Sequence, residues 1–188
     1  LPDEQMDAPM GMGSGAADVF ANTGGVMEAA LRTAYEVVTG RELPFEGMHV
    51  APIEGLEGLK EMAIPIEGTL PEWNFLEGAT LNIAVAHGLA NAERMIQRVK
   101  NGEAHYHFME VMACPGGCIG GGGQPRMTTM DIRKARIAAI FSEDDSKTLR
   151  KSHENPQIVR AYEKFFESPL SAQSHRFLHT EYQPRKPV

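Results

Sequence analysis

Residues 79–88 read Ala-Thr-Leu-Asn-Ile-Ala-Val-Ala-His-Gly, and this stretch decides the fold because it predicts a strand followed by a glycine turn. Leu81, Ile83 and Val85 alternate with small residues, which is the period-two pattern of a β-strand. The glycine that closes the stretch marks the point where the chain turns. The sequence therefore predicts one clear strand, at Ala79–His87.

The residues after this strand complete a strand–helix–strand unit. Ala92, Ile96 and Val99 fall at helical spacing, so we expect a helix up to about Lys100 that ends at the following Asn-Gly pair. A second strand-like run follows at His105–Met112. A strand, a helix and a parallel strand joined by a right-handed crossover form the βαβ unit. The sequence therefore predicts an α/β fold with a mainly parallel sheet flanked by helices.

A glycine-rich loop with both cysteines follows the second strand, beyond its carboxyl end, where ligands of parallel sheets usually bind. Residues 110–125 read Glu-Val-Met-Ala-Cys-Pro-Gly-Gly-Cys-Ile-Gly-Gly-Gly-Gly-Gln-Pro, with Cys114, Cys118 and six glycines. Glycine is costly in regular structure, so this density implies tight bends or close approach to a bulky group. Two thiolates among free backbone N–H groups suit a sulfide-rich or anion-rich inorganic centre. Glu110, on the strand that feeds the loop, is expected to anchor it.

The residues alone leave several kinds of chemistry open for the two cysteines. A redox disulfide is disfavoured, because thioredoxin-type cysteines are separated by two residues. A zinc site would need partners, and His105 and His107 lie on one face of the strand, so a His-His-Cys-Cys tetrahedron is one alternative. An iron–sulfur cubane takes four cysteines, so Cys114 and Cys118 would supply only half of its ligands.

The N-terminal part of the chain enters a helix through a second glycine-rich stretch. Residues 1–25 have neither a period of two nor one of 3.6, so we expect a loop. A helix over Val26–Val38 follows, and Gly40 can end it. Its start, Thr23-Gly24-Gly25, presents backbone N–H groups that can hold an anion, unless it is only a tight turn packed on a sheet. Glu28 in the first turn would favour the helix dipole.

The remaining segments predict short strands and a helical C-terminal tail. Short apolar pieces at Met48–Ile53 and Met62–Ile66 indicate strands or a hairpin. Two helices are expected after the cysteine loop, one capped by Thr128 or Thr129 and one that starts at the Asn155-Pro156 pair. Their apolar faces would be Ile132, Ala135, Ala139 and Ile140 in the first helix, and Ile158, Val159, Tyr162, Phe165 and Phe166 in the second.

Composition narrows the class of protein. With 42% hydrophobic and 23% charged residues, the chain is typical of a globular domain. The formal charge of −7 argues against a nucleic-acid-binding surface. No apolar run approaches the roughly 20 residues of a membrane span. Two cysteines this close together are typical of a reducing compartment, so we expect a cytoplasmic location without nucleic-acid or membrane partners.

Three stretches of the sequence resemble the iron-only (FeFe) hydrogenases. Residues 110–125 are similar to the third signature motif of that family. Residues 20–32, Phe-Ala-Asn-Thr-Gly-Gly-Val-Met-Glu-Ala-Ala-Leu-Arg, resemble its glycine-rich loop and following helix, although Ala21 stands where glycine is usual. Residues 150–155, Arg-Lys-Ser-His-Glu-Asn, resemble the opening of its small-subunit-like C-terminal segment. The likeness spans most of the chain in the order of the family.

The resemblance implies a cofactor and its ligands. The H-cluster of this family joins a 4Fe–4S cubane to a two-iron centre with CO, cyanide and a dithiolate bridge. By the match, Cys114 is a cubane ligand and Cys118 is the thiolate that bridges to the two-iron centre. The other cofactor-binding residues that the match implies are Met112, Phe20, Gly25 and Val26.

The resemblance also implies what the chain does and what it needs. The reaction would be the reversible reduction of protons to dihydrogen. Residues 1–126 would be the second lobe of the H-cluster domain, and residues 127–188 a small-subunit-like helical tail that wraps it. The N-terminal half of the domain, as another segment or chain, would bring the other two cubane cysteines, and ferredoxin or a partner redox subunit would carry electrons. The alternative is a hydrogen sensor, or a non-catalytic iron–sulfur relative that holds only a cubane.

Overall fold

The computed structural model describes residue 4, residues 12–44 and residues 58–185. The chain divides into two compact units: a larger one, Gly13–Ser152, and a smaller one that comprises Leu1–Met12 and His153–Val188. The strand or hairpin predicted at Met48–Ile53 lies outside the described residues. None of the described helices combines the length and the hydropathy that a membrane crossing requires.

The larger unit contains the predicted alternation of strands and helices. Its described strands are β1 (Leu59–Pro65), β2 (Thr80–His87) and β3 (Phe108–Met112). Its described α-helices are α1 (Gly15–Asp18), α2 (Gly25–Thr39), α3 (Leu89–Lys100) and α4 (Met130–Ser146). Short 3-10 turns occur at Val19–Ala21, Pro71–Leu76, Cys118–Gly120 and Ser152–Glu154.

The described strands form one sheet in the order β1-β2-β3. β1 pairs with β2 in the antiparallel sense, and it corresponds to the strand predicted at Met62–Ile66. β2 pairs with β3 in the parallel sense, with Ile83 opposite Phe108. Because α3 joins these two parallel strands, the predicted βαβ unit is confirmed, and so is the α/β class. β3 begins at Phe108 rather than at His105.

Helices cover both faces of this sheet. On one face, α2 packs through a buried cluster of Met27, Leu31, Ile64, Ile83 and Val85. On the other face, α3 packs through Ala84, Ala86, Ala92 and Met95. Alternate residues of a strand point to opposite faces, so the period-two pattern of β2 supplies both clusters. Burial of each large apolar side chain stabilises the fold by ~1.5–3 kcal/mol, which fixes the sheet that carries the cysteine loop.

Part of the predicted N-terminal loop is helical. Residues 15–21 form α1 and a 3-10 turn, although the composition of residues 1–25 and their lack of periodicity predicted a loop. Ala16 and Val19 are fully buried and pack against partly buried residues of α4. Gly15 permits this approach, because a Cβ there would lie 1.9 Å from Asp144 Oδ1. Tertiary packing therefore outweighs the weak helix propensity of this stretch.

The buried face of α4 differs from the predicted one. Thr129 caps the helix as predicted, since its hydroxyl accepts a hydrogen bond from Ile132 N (3.3 Å). However, Ile132 is 38% exposed, and Ala135 and Ala139 are also exposed, so these positions were wrongly placed in the core. α4 instead buries Ile137 and Asp144, and its partly buried positions include Ile140 and Phe141. A pattern that counts only apolar residues misses a face that includes a buried aspartate.

The smaller unit contains the predicted Asn-Pro helix start. Asn155 caps α5 (Pro156–Ala161) by accepting a hydrogen bond from Gln157 N (2.9 Å). The predicted helix does not continue as a regular α-helix, because a π-helical turn occupies Tyr162–Phe166. The side chains of that turn are largely exposed, so the predicted apolar stripe is only partly buried within the described residues.

A further helix of the smaller unit, α6 (Ala172–Leu178), was not predicted. Ser171 caps it by accepting a hydrogen bond from Ser174 N (3.1 Å). The ring of Phe177 lies 5.1 Å from that of Phe165, centroid to centroid. Aromatic packing within the unit therefore holds a segment that is too short to be stable alone, and the tail is helical as expected.

Candidate metal centre

The cysteine loop leaves β3 and folds into a series of tight turns. Gly117 N donates to Cys114 O (3.0 Å), and Gly121 N donates to Cys118 O (3.1 Å). Cys114 is partly buried and Cys118 is exposed, and the two thiols are not joined in a disulfide. The loop therefore presents two accessible thiols beyond the carboxyl end of a parallel strand, where the sequence predicted a site.

Gly117 lets this loop lie directly against the segment that precedes α2. Its φ of 92° lies in the left-handed region, and a Cβ there would lie 2.6 Å from Thr23 N and 2.9 Å from Ala21 O. Thr23 N also donates to Gly116 O (3.0 Å). No side chain fits between the two segments, so protein packing alone requires this glycine.

The other glycines of the loop fall into two groups. A Cβ on Gly120 would lie 2.3 Å from Pro115 O, and one on Gly121 would lie 3.2 Å from Cys114 Sγ. By contrast, a Cβ on Gly122 or Gly123 would meet nothing within 4 Å. Internal turns therefore explain the first two glycines. Gly123 has a φ of 87°, which favours glycine, and Gly122 is exposed with no neighbour, so packing within the described residues leaves this end of the loop uncovered.

Met112 is the predicted cofactor-binding residue that lies nearest to this loop in the structure. Its Sδ would be 2.8 Å from a Cβ on Gly117, on the same side as the Thr23 backbone. The side chain is partly buried. The structure thus brings together Met112, the turn between the two cysteines and the stretch that begins at Ala21.

Phe20 and Val26 line a groove on α2, whereas Met112 lies against the cysteine loop. Both line an open, almost wholly apolar groove of about 600 Å³ on the outer side of α2. Phe20 is 47% exposed. Gly25, between them, is buried, and a Cβ there would lie 1.6 Å from Val19 O. Gly25 is therefore required by the packing of the 3-10 turn on α2.

Glu110 joins the cysteine strand to the N-terminus of α2. It is 7% exposed, and its carboxylate accepts hydrogen bonds from Gly24 N (2.5 Å) and Met27 N (2.7 Å). The helix start that the sequence offered as an anion site thus holds the anion of Glu110, and Glu110 anchors the loop as expected. Burial raises the pKa of Glu110 above its ordinary value, although hydrogen bonds from the Met27, Gly24 and Val26 amides oppose the rise.

Two arginines of α4 also contact the cysteine loop, and the sequence analysis did not identify them. Arg136 Nη1 donates to Ile119 O (2.7 Å). Arg133 lies beside two loop glycines, and its Nε would be 3.0 Å from a Cβ on Gly120. Their spacing on the helix that follows the loop was the available signal, because residues three apart share a helix face.

A buried ionic cluster, which the sequence also did not predict, ties α2 to α4. Arg32 donates to Asp144 (2.8 and 2.6 Å) and to Glu28 (2.6 Å), and Arg150 donates to Asp144 (2.6 Å). Asp144 is fully buried, and Glu28 is 2% exposed. Desolvation raises the pKa of Asp144, but the two guanidinium groups outweigh it and hold this pKa below its ordinary value.

The zinc alternative receives no support from the geometry. His105 and His107 are exposed, with ring centroids 4.8 Å apart, and His107 Nδ1 accepts a hydrogen bond from Asn82 N (2.9 Å). In the described part of the chain, neither Cys114 nor Cys118 belongs to a group of three or more His, Cys, Asp or Glu side chains close enough to share a metal ion. A four-ligand zinc site within these residues is therefore not formed.

Two accessible thiols in a glycine loop at the end of a parallel strand fit a protein that binds an iron–sulfur centre, because thiolates are the ligands of such clusters. Two family descriptions match the chain: "Iron only hydrogenase large subunit, C-terminal domain" over residues 1–122 and "Iron hydrogenase small subunit" over residues 130–185. The first covers more than half of the chain. The chain therefore belongs to the iron-only hydrogenase family.

Individual relatives agree with this assignment. The NADP-reducing hydrogenase subunit HndD of Solidesulfovibrio fructosivorans is 46% identical over 99% of this chain and 30% of its own length. The apo [FeFe]-hydrogenase HydA1 structure from Chlamydomonas reinhardtii is 43% identical, with a TM-score of 0.74, over 97% of this chain and 49% of that one. The cytosolic Fe-S cluster assembly factor narfl of Danio rerio is 31% identical over 54% of this chain and 25% of its own length. The chain thus spans about a third of HndD and about half of HydA1.

Proposed function

We propose that this chain is part of an iron-only hydrogenase that catalyses the reversible reduction of protons to dihydrogen at an H-cluster. The observation that carries the proposal is the cysteine loop, with two accessible thiols four positions apart beyond the carboxyl end of β3. Its sequence also resembles the third signature motif of the family, which supports the proposal. In this proposal, Cys114 is a ligand of the 4Fe–4S cubane and Cys118 bridges to the two-iron centre.

The residues fit a cofactor of this kind. Thiolates are the ligands of iron–sulfur clusters, and both thiols of the loop are accessible, since Cys118 is exposed and Cys114 is only partly buried. When bound, the H-cluster with its CO, cyanide and dithiolate ligands supplies the redox and hydrogen chemistry. The protein contributes the ligands and their surroundings. The partly buried position of Cys114 suits the cubane, and the exposed position of Cys118 leaves its thiol accessible to a second metal centre.

The other proposed cofactor-binding residues act by shape and polarity. Met112 lies against the turn between the cysteines, and Phe20 and Val26 offer apolar surface on the α2 side. Covered by the rest of the catalytic domain, such side chains would exclude water and lower the local dielectric constant, which tunes the potential of a metal centre. Gly25 contributes by allowing the close approach of the 3-10 turn to α2. Glu110 holds this approach in place through its hydrogen bonds to Gly24 and Met27.

We also propose the partners that the cofactor requires. A cubane takes four cysteines and this chain has two, so the N-terminal half of the catalytic domain, as another segment or chain, would supply the others. The chain spans 49% of HydA1, which supports such a division. A carrier such as ferredoxin, or a partner redox subunit, would deliver electrons. A cytoplasmic location is proposed on the two thiols that form no disulfide, and a division after residue 126 stays a prediction.

Infrared spectroscopy of the complete assembly, matured without oxygen, tests the proposal. We expect CO and cyanide bands, and we expect Cys118→Ser to lose these bands and hydrogen evolution while the cubane remains. Ala113→Ser is the matched control, because it adds a hydroxyl to an exposed position of the same loop without removing a thiol. Unchanged bands and turnover in the Cys118→Ser assembly would contradict the bridging role.

A second candidate is a non-catalytic iron–sulfur relative that holds only a cubane. The similarity to the Fe-S cluster assembly factor narfl favours it, although narfl matches only 54% of this chain. In that case, iron analysis of the assembly would find cubane iron alone, without CO or cyanide bands. A hydrogen sensor would instead give these bands together with low turnover.

A further inference from the structure

Two histidines lie one helical turn apart at the C-terminal end of α6. His175 belongs to the last turn of the helix, and His179 is its C-cap residue. His179 N donates to His175 O (3.1 Å), so the backbone fixes their spacing. The two imidazole rings are exposed, with centroids 4.3 Å apart and planes inclined by 38°. Because residues four apart on a helix share a face, the fold presents two accessible imidazoles side by side.

The ring nitrogens of this pair are available to a ligand. Among the residues that the structure describes, no hydrogen-bond partner occupies either ring. A neutral imidazole has one nitrogen that carries a proton and one that has a free lone pair. Each ring can therefore offer one lone pair to the same ion. Imidazole nitrogen is a preferred ligand of Zn²⁺, Ni²⁺ and Cu²⁺.

A second close histidine pair shows that proximity alone does not make such a site. The ring centroids of His105 and His107 are 4.8 Å apart. However, His107 Nδ1 accepts a hydrogen bond from Asn82 N (2.9 Å). The neutral ring then carries its proton on Nε2, so His107 has no lone pair left for a metal ion while this bond lasts. The two pairs therefore differ in the availability of their nitrogens.

We propose that His175 and His179 together bind one divalent transition-metal ion of the class that includes Zn²⁺. Zinc–nitrogen bonds are about 2.0–2.1 Å long, so small rotations of the two exposed rings bring one nitrogen of each onto a common ion. In the described part of the chain, no third His, Cys, Asp or Glu side chain lies close enough to share this ion. Water completes its coordination. The site uses no residue of the cysteine loop, so it stands whether or not the proposed function holds.

The position of the pair on α6 favours a cation and gives the ion a structural effect. The carbonyl groups at a helix C-terminus carry partial negative charge, which stabilises a cation in the last turn. The guanidinium group of Arg176 lies over the Phe177 ring, 5.4 Å from its centroid, and adjacent residues do not share a helix face. α6 has only seven residues and is marginal alone. An ion that joins His175 to His179 therefore holds its last turn closed.

Hydrogen exchange of this chain with and without Zn²⁺ tests the inference, at a pH above the ordinary histidine pKa of about 6.5. The amides of residues 176–179 should exchange on the order of tenfold or more slowly when the ion is bound. Zn²⁺ that binds at Cys114 and Cys118 is detected separately, through the amides of residues 114–121. Unchanged exchange in α6 at every Zn²⁺ concentration that keeps the chain soluble would overturn the proposal.

Matched variants identify the ligands. His175→Asn and His179→Asn each remove one imidazole of the pair, and His105→Asn removes one exposed imidazole elsewhere. Because one remaining imidazole cannot chelate, we expect the protection of α6 to require at least about tenfold more Zn²⁺ in the first two variants, and to be unchanged in His105→Asn. Circular dichroism without the ion shows whether each variant is folded. Equal Zn²⁺ dependence in folded His175→Asn and His105→Asn would contradict the proposal.

Proton NMR of the wild-type chain gives a measurement that needs no variant. Ni²⁺ is paramagnetic, so a substoichiometric amount broadens the ring-proton signals of the imidazoles that it binds. We expect the signals of His175 and His179 to broaden together, before those of His105 and His107. Equal broadening of all four would show that the ion binds any exposed imidazole, and broadening of only one member of the pair would show that no chelate forms. Either result would overturn the proposal.

Discussion

Two buried carboxylates hold α2, and they do so by different means. At the N-terminus of the helix, Glu110 accepts hydrogen bonds from the backbone amides of Gly24 and Met27. In the body of the helix, Asp144 binds the guanidinium group of Arg32, and Arg150 adds a second positive charge. The first contact fixes the helix to the cysteine strand, and the second fixes it to α4.

This difference separates the two pKa values. The partial charges of the amides do not fully offset the desolvation of Glu110, so its pKa is raised. Full charges do offset the desolvation of Asp144, so its pKa is lowered. A carboxyl group whose pKa is higher in the folded than in the unfolded state stabilises the fold at low pH, and this contribution is lost as pH rises. A carboxyl group whose pKa is lower in the folded state stabilises the fold at higher pH, and this contribution is lost as pH falls. The attachment near the proposed cofactor is thus the weaker one at neutral pH.

Removing the charge of Asp144 should have the largest effect. Asp144→Asn leaves Arg32 buried with only Glu28 as a carboxylate partner, so we expect a loss of about 3–5 kcal/mol in the free energy of unfolding. Urea denaturation of the chain measures this. Asp145→Asn is the matched control, because the neighbouring aspartate is 65% exposed and its contact with Arg150 lies at the surface. Similar losses in the two variants would show that the buried cluster adds little.

Adding a side chain at Gly117 should have an intermediate effect on stability, because it disturbs the contact between the cysteine loop and the segment before α2. In Gly117→Ala, the new methyl would lie 2.6 Å from Thr23 N and the residue would keep a positive φ, so we expect a loss of about 2–3 kcal/mol. The control is Gly122→Ala, whose Cβ meets nothing within 4 Å. Urea midpoints of both variants provide the measurement, and equal midpoints would mean that the loop does not depend on this contact.

Neutralising Glu110 should cost less than neutralising Asp144. Glu110→Gln keeps one oxygen for the Gly24 or Met27 amide and leaves the other amide unsatisfied, so we expect a loss of about 1–2 kcal/mol. Hydrogen exchange of the α2 amides and urea denaturation measure the effect. Glu93→Gln on the exposed side of α3 is the control. A loss as large as that of Asp144→Asn would remove the distinction between the two attachments.

The pH dependence should separate the two variants further, with a difference below about 1.4 kcal/mol per pH unit for each group. As pH rises above about 4.3, the usual pKa of a glutamate, wild type loses the stability that comes from protonated Glu110. Glu110→Gln has no such pH-dependent contribution, so the difference in unfolding free energy between wild type and this variant should shrink. As pH falls towards the lowered pKa of Asp144, the cost of Asp144→Asn should shrink. Urea titrations across the acid range check both, and parallel trends would contradict the assigned shifts.

Local patterns predicted much of the fold. The alternation of Leu81, Ile83 and Val85 gave β2, and the hydroxyl or amide before each helix start gave the Thr129 and Asn155 caps. These features depend on residues close together in the sequence. By contrast, α1 forms because distant residues of α4 bury it, and no local pattern in a glycine-rich stretch reports such burial.

The candidate site was predicted in part for the same reason. The cysteine loop and its place beyond β3 follow from one contiguous stretch, and Glu110 was expected to anchor it. Its partners at Gly24 and Met27 are 86 and 83 residues away, so the sequence did not identify them. The roles of Cys114, Cys118, Met112, Phe20, Gly25 and Val26 toward a cofactor stay predictions. Arg136, which donates a hydrogen bond to the loop backbone, was not identified, because its acceptor is a backbone carbonyl group and every residue has one.

The distance in sequence between Glu110 and Gly24 has a consequence for the order of folding. β2, α3 and β3 are contiguous, so their contacts close short loops and can form early. The Glu110 contact with the α2 start closes a loop of 86 residues, at a greater cost in chain entropy. We therefore expect the βαβ unit with its thiol loop to form before the start of α2 docks on it through Glu110.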